Sequence, residues 1–174
     1  MTVLPLAALA SWHLVTDRAV VTSAALLILT TSIVPSLFVY GAYLAGMITS
    51  PDLPRRSERL QPAVFATICA AGAYPLLWFV DAAPLFLSVD AALTLQLALL
   101  AIVTIWWKIS YHAASAAGLV VFALALGDAT IALPLTALAV AVGWARVRLQ
   151  RHTPGQVVAG WASALSVLWW IWPG

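Results

Sequence analysis

Two histidines far apart in the chain each sit among cations. His112 lies four residues after Lys108, and His152 closes the stretch "ARVRLQRH" (residues 145–152), which carries Arg146, Arg148 and Arg151. Those three arginines belong to a total of only 8 Lys and Arg in 174 residues. Imidazole is a nucleophile or a general acid and base, and fixed cations stabilise charge that spreads over oxygens in a transition state. The residue types therefore suit chemistry on an anion, provided that something brings the two histidines to one place.

The elements that could do so are membrane helices. Hydrophobic residues make up 64% of the chain and charged residues 8%, against about 25% charged in ordinary soluble domains. The composition predicts an all-α, polytopic membrane helix bundle, and a net charge of +2 gives no reason to expect a nucleic-acid partner. The single cysteine, Cys69, excludes an internal disulfide and reads as an inert small hydrophobe.

A helix needs about 20 mostly apolar residues to cross the hydrocarbon. Six spans are predicted, at about 19–49, 62–80, 91–107, 110–127, 129–145 and 154–172, in one membrane domain covering 1–174. Pro35 is a predicted kink in the first span. A turn carrying Asp81, Pro84 and Asp90 precedes the third, and Gly127-Asp128 ends the fourth. Residues 1–15 lack a basic start and are short for a span, so they are expected to lie at the interface, with Trp12 and His13 as interfacial residues. Trp106-Trp107 and Trp169, Trp170 and Trp172 at span ends fit an aromatic belt.

Alternating the spans sorts the charges. Arg55, Arg56, Arg59, Lys108, Arg146, Arg148 and Arg151 fall on one side, and Arg18, Asp17, Asp81, Asp90 and Asp128 on the other. Positive loops collect in the cytoplasm, which by itself predicts a multi-pass cell-membrane protein with a cytoplasmic basic face and accounts for any single arginine there. It does not account for the two histidines on the same face.

Spans two, four and six begin on that face, and helix N-termini attract anions. "TPGQ" (153–156) reads as a capping box with Thr153 at the N-cap, Pro154 in the first turn and Gln156 three residues on. Ser110 is the expected N-cap of span four, with His112 two residues later, and Arg59 lies just outside span two. A membrane face with these groups suits an anionic lipid headgroup, of which phosphate is the commonest.

These residues resemble the type 2 phosphatidic acid phosphatases, integral-membrane lipid phosphatases related in their active site to vanadium haloperoxidases. That family carries KxxxxxxRP, PSGH and SRxxxxxHxxxD. Arg146 and His152 keep the spacing of the third motif, with Ala145 for its Ser and Gln156 for its final Asp. "ISYH" (109–112) is similar to the second, keeping Ser110 and His112. "DLPRRSERLQP" (52–62) is a loose version of the first, with Arg59 at the arginine, Asp52 where the lysine would stand, and Pro62 displaced by two positions.

The resemblance implies a six-helix core and hydrolysis of a lipid phosphate or diphosphate, isoprenyl or glycerolipid, without metal or cofactor. His152 would attack phosphorus and form a phosphohistidine. His112 would protonate the leaving oxygen and then activate water. Arg146 and Arg59 would hold the phosphoryl oxygens, helped by Lys108 and Ser110. The motif lysine's contact would pass to Lys108, Arg55 or Arg56. Gln156 either orients the imidazole of His152 or only completes the capping box, and both readings stay open. An alternative is a catalytically weakened relative that binds anionic lipid or a membrane partner. A third reading, a small transporter, would need ionisable groups inside the bilayer, and within the predicted spans lie mainly Gln96, threonine and serine.

Overall fold

A computed structural model describes residues 18–125 and 127–171. The predicted interfacial helix over 1–15 and Trp172 lie outside the described residues, as do the side chains of Trp169 and Trp170. Regular structure among the described residues is helical throughout. The helices are α1 (Arg18–Leu44), α2 (Leu60–Phe79, led in by a 3-10 turn at Arg56–Glu58), α3 (Pro84–Trp106), α4 (Tyr111–Ala125), α5 (Ala129–Arg148) and α6 (Pro154–Ile171). Four of them, α1, α2 with its lead-in, α3 and α5, are long and apolar enough to cross a membrane.

The ends follow local chemistry. Gly46 (φ 70°) stops α1 five residues short of the expected limit, and the Met47 N–H returns to the Ala42 carbonyl at 2.9 Å. This is the reversal that a residue in the left-handed region makes at a helix end, and glycine adopts it without steric cost. Gly127 (φ 73°) stops α4 in the same way, and Asp128 then caps α5 by accepting from the Thr130 and Ile131 N–H groups at 3.0 and 3.1 Å. Hydrogen bonding from the Thr130 hydroxyl, and then from those N–H groups, holds the Asp128 carboxyl below the usual carboxylate range.

Pro35 does not break α1. The turn ahead of it, Leu29–Ile33, widens to π geometry, with the Val34 N–H bonded to the Leu29 carbonyl. Proline leaves the carbonyl four residues back without its donor, and a widened turn absorbs the mismatch. The Thr30 and Thr31 hydroxyls donate to the Leu26 and Leu27 carbonyls at 2.8 and 2.6 Å, in the turn that leads into the widened one.

One expectation fails. The turn placed at 81–90 spans only a few residues, because Pro84 occupies the first turn of α3, where its missing N–H costs nothing. Asp90 therefore lies inside α3, fully buried, with both carboxyl oxygens lacking a hydrogen-bond partner. It is no loop charge, and the second side loses one of its acids. An ionisable group thus stands within a helix long enough to cross a membrane, where the predicted spans held mainly Gln96, threonine and serine.

The packing centre is α4, which lies against α5 and α6, while α3 bridges α6 to α2 and α1 docks on α2. Ala70, Ala73, Ala92, Ala113, Ala114 and Ala164 are fully buried, so backbones approach closely, as small residues allow between membrane helices. Phe38 of α1 stacks on Phe65 of α2 with ring centres 4.2 Å apart.

Candidate functional site

Three connections meet at one end of the bundle. The Arg59 guanidinium, at the N-cap of α2, donates through Nε to the Leu53 carbonyl (2.7 Å) and through Nη1 to the Ile109 carbonyl (3.2 Å). The Ser110 N–H donates to the Gln156 carbonyl at 3.3 Å, tying the start of α4 to the first turn of α6. Arg151 pairs with Asp52 at 3.6 Å. The loops before α2, α4 and α6 are thus stitched together by direct contacts.

The third loop explains its own spacing. Arg146 stands in the last turn of α5, Gln150 takes the left-handed region (φ 53°), and the chain folds back. The N–H groups of Arg151 and His152 then both donate to the Arg146 carbonyl, at 3.0 and 3.2 Å. Five intervening residues are what a helix end with this reversal needs to return an imidazole beside the arginine.

Gln156 makes the capping-box contacts and touches His152 at the same time. Its Oε1 accepts from the Thr153 N–H at 3.1 Å, and its own N–H donates to Thr153 Oγ1 at 3.3 Å, which completes the capping box. The same Oε1 lies 3.2 Å from His152 Nδ1. An atom that accepts from a backbone N–H is the amide oxygen, so Nδ1 must be the donor and carries the ring proton. Nε2 then presents a lone pair.

That lone pair is buried without a partner, and so is Arg146 Nε. His152 is 5% exposed, Arg59 7% and Arg146 9%. Burial, then the charge of Arg59, push the His152 imidazole down to about 4, with Lys108 and Arg146 adding to the effect and Gln156 opposing it. The Lys108 ammonium is likewise lowered by burial and by Arg59, Arg151 and Arg146. Among the described residues the ion pairs are Arg55–Glu58 and Arg151–Asp52, so Arg59, Lys108 and Arg146 form a cationic cluster without a carboxylate in ion-pair contact.

His112 lies on the first turn of α4, within electrostatic reach of Arg146, Asp52 and Arg59. It lines a cavity of about 580 Å³ together with Arg59, Asp52 and Tyr111. Ser110 is fully buried and its hydroxyl accepts from the Ala113 N–H at 3.3 Å, the cap expected of it. Of the cations offered in place of the motif lysine, Arg56 is bound to the Ile105 carbonyl (3.0 Å) and Arg55 faces Glu58 (3.8 Å), which leaves Lys108 beside Arg59 and Arg146.

Two residues escaped the sequence reading. Tyr111 lines the cavity beside His112, its hydroxyl 3.1 Å from Thr104 Oγ1. Gly160 lets α6 approach α4: a Cβ there would stand 2.6 Å from the Ser110 carbonyl oxygen. Only the small residues of "VVAGWASA" hinted at such an approach. No family model, curated protein or solved structure matches the chain.

Proposed function

We propose that the chain is an integral-membrane phosphatase that hydrolyses a lipid phosphate or diphosphate through a phosphohistidine at His152. One observation carries this reading. Arg59 and Arg146 are buried beside Lys108 without an acid in ion-pair contact, and Arg146 Nε and His152 Nε2 have no partner. Unpaired buried charge costs several kcal/mol, and an anion bound among these groups would offset that cost. The motif spacing of the type 2 phosphatidic acid phosphatases points the same way and implies six membrane crossings, and the positive loops favour a cytoplasmic cationic end.

In this scheme His152 Nε2 attacks phosphorus as the bond to the leaving oxygen breaks, and His112 gives that oxygen a proton. His112 then takes a proton from water, which attacks phosphorus, breaks the P–N bond and frees phosphate. Arg59, Arg146 and Lys108 hold the equatorial oxygens, where charge spreads in the transition state.

Gln156 favours a second reading. A neutral amide orients His152 but cannot stabilise the imidazolium that forms on attack, and this suits a relative that binds anionic lipid and turns it over weakly or not at all. The test offers purified protein a panel of lipid phosphates without added metal and measures released phosphate. His152→Ala and His112→Ala should each abolish turnover. If wild type and both variants behave alike on every substrate, the phosphatase reading falls and the binding reading stands.

A further inference from the structure

The cavity that contains His112 does not stop at the cationic end. Along α1 it is lined by Thr31, Ser32, Pro35, Ser36, Val39 and Tyr40, which recur at the spacing of one helical face. Across from them stand Pro62, Ala63 and Ala66 of α2, with Leu97 of α3 deeper in. From Tyr40 to Thr31 the face runs about 14 Å along the helix, roughly half the thickness of a hydrocarbon core.

Two sequence features open this groove. The π turn at Leu29–Ile33 widens α1 where the cavity reaches its inner end. On α2 the facing side chains are small, so the helices leave space instead of interdigitating. The Thr31 hydroxyl is turned into its own helix, onto the Leu27 carbonyl. The wall is therefore mostly carbon, while the outer end carries Arg59 and His112.

We propose that this cavity holds one hydrocarbon chain whose phosphate head lies at the end lined by Arg59 and His112, so that the substrate class is single-chain lipid phosphates of the isoprenyl or alkyl kind. The charge at one end and the apolar wall along the rest match an amphiphile of that polarity. A groove bounded by two helices and floored by a third accepts one chain alongside α1, whereas a diacyl lipid would leave its second chain outside it. The assignment rests on the lipid-phosphatase reading for the headgroup alone.

The test has two arms. In the first, wild type, Ser36→Trp and Ser32→Trp are compared on dodecyl phosphate, butyl phosphate and dioleoyl phosphatidate. Both serines are exposed on the groove wall, so tryptophan fills the space without displacing packed core. Ser36→Trp, nearer the head, should lower kcat/KM for dodecyl phosphate at least tenfold, Ser32→Trp less, and both should leave butyl phosphate within about twofold. Phosphatidate should be turned over more slowly than dodecyl phosphate by wild type. Equal losses on dodecyl and butyl phosphate, or no loss on either, would overturn the groove.

The second arm needs no turnover. Dodecyl phosphate with a photoreactive mid-chain carbon should label residues 31–40 and 62–66, and Ser36→Trp should suppress that labelling. Labelling there without hydrolysis keeps the groove and removes the phosphatase. Hydrolysis with labelling elsewhere does the reverse.

Discussion

Gln156 Oε1 accepts two hydrogen bonds at once, from the Thr153 N–H at 3.1 Å and from His152 Nδ1 at 3.2 Å. One side chain thus starts α6 and fixes which imidazole nitrogen is free. In a serine-protease triad, replacing the orienting acid with an amide lowers the rate by about four orders of magnitude, mainly through the wrong tautomer. Here the amide oxygen is pinned by a backbone donor, so the tautomer is right and only the charge is missing. Gln156→Glu keeps the reach and the capping box and adds that charge. Its kcat on a single-chain lipid phosphate should rise at least tenfold over wild type, measured as released phosphate. An unchanged or lower rate with the fold intact would mean that imidazolium stabilisation does not limit turnover.

The pH profile follows from the same contact. Burial and the neighbouring cations hold the His152 imidazole at about 4, well below its ordinary value of 6.5. The free base is then present throughout the neutral range, and the acid limb of kcat/KM, which reports the free enzyme, should lie near 4. Gln156→Glu should move that limb upward by a unit or more. Stability has the matching sign: the folded state resists protonation more than the unfolded one, so it is undiminished above 6.5 and declines as pH falls from there toward about 4. Thermal unfolding of wild type and His152→Gln across that window checks it, because the variant should lose this part of the pH dependence.

Gly160 of α6 leaves no room for a side chain against the start of α4. A methyl group there meets the Ser110 carbonyl oxygen at 2.6 Å and the Ala114 nitrogen at 3.2 Å, both backbone atoms with little room to yield. Gly160→Ala should cost about 1–3 kcal/mol of stability, the range for overpacking a core. It should also lower activity more than a loss of folded protein explains, since it pushes the start of α4, with Ser110 and His112, away from His152. Folded fraction and activity measured on the same sample separate the two effects.

The long apolar runs and the capping residues were legible in the sequence. Thr153, Gln156, Ser110 and Gly127 each act through contacts within four residues or so, and local chemistry of that range is written in order along the chain. Asp90 was misplaced because Pro84 and an acid together resemble a turn, yet proline in the first helical turn starts a helix as readily as it ends one. Gly160 and Tyr111 were missed for a different reason. What they do depends on residues some 50 and 7 positions away, through packing that no local pattern encodes. The cationic cluster lay between these cases: its spacing could be read, but the Arg59 link to the Ile109 carbonyl could not.

Asp52 stands at the mouth of the cavity, where a phosphate would meet it. Its ion pair with Arg151 is 3.6 Å long, with both side chains over 40% exposed, and such pairs contribute about 0–1 kcal/mol. Asp52→Asn should therefore leave the melting temperature nearly unchanged. Removing an acid from the approach should lower KM for a dianionic substrate severalfold at low salt, and the gain should shrink as salt screens the charges. Steady-state kinetics at two ionic strengths decide it, and a KM that rises instead would mean that the Asp52–Arg151 contact organises the site.

Arg59 does more than supply charge. Its Nε holds the Leu53 carbonyl and its Nη1 the Ile109 carbonyl, so a single planar group spans the first and second loops. Lysine keeps the positive charge but offers one compact ammonium in place of a rigid fork. Arg59→Lys should free one of the two loops and leave a carbonyl in a buried setting without its donor, at about 1–3 kcal/mol. On the proposed chemistry kcat should fall at least tenfold, because the guanidinium also fixes the phosphoryl oxygens against the His152 nitrogen. Arg56→Lys is the control, since Arg56 makes one exposed contact, to the Ile105 carbonyl. Equal, small effects of the two substitutions would reduce Arg59 to one more positive residue at the membrane surface and remove the reason to place a phosphate beside it.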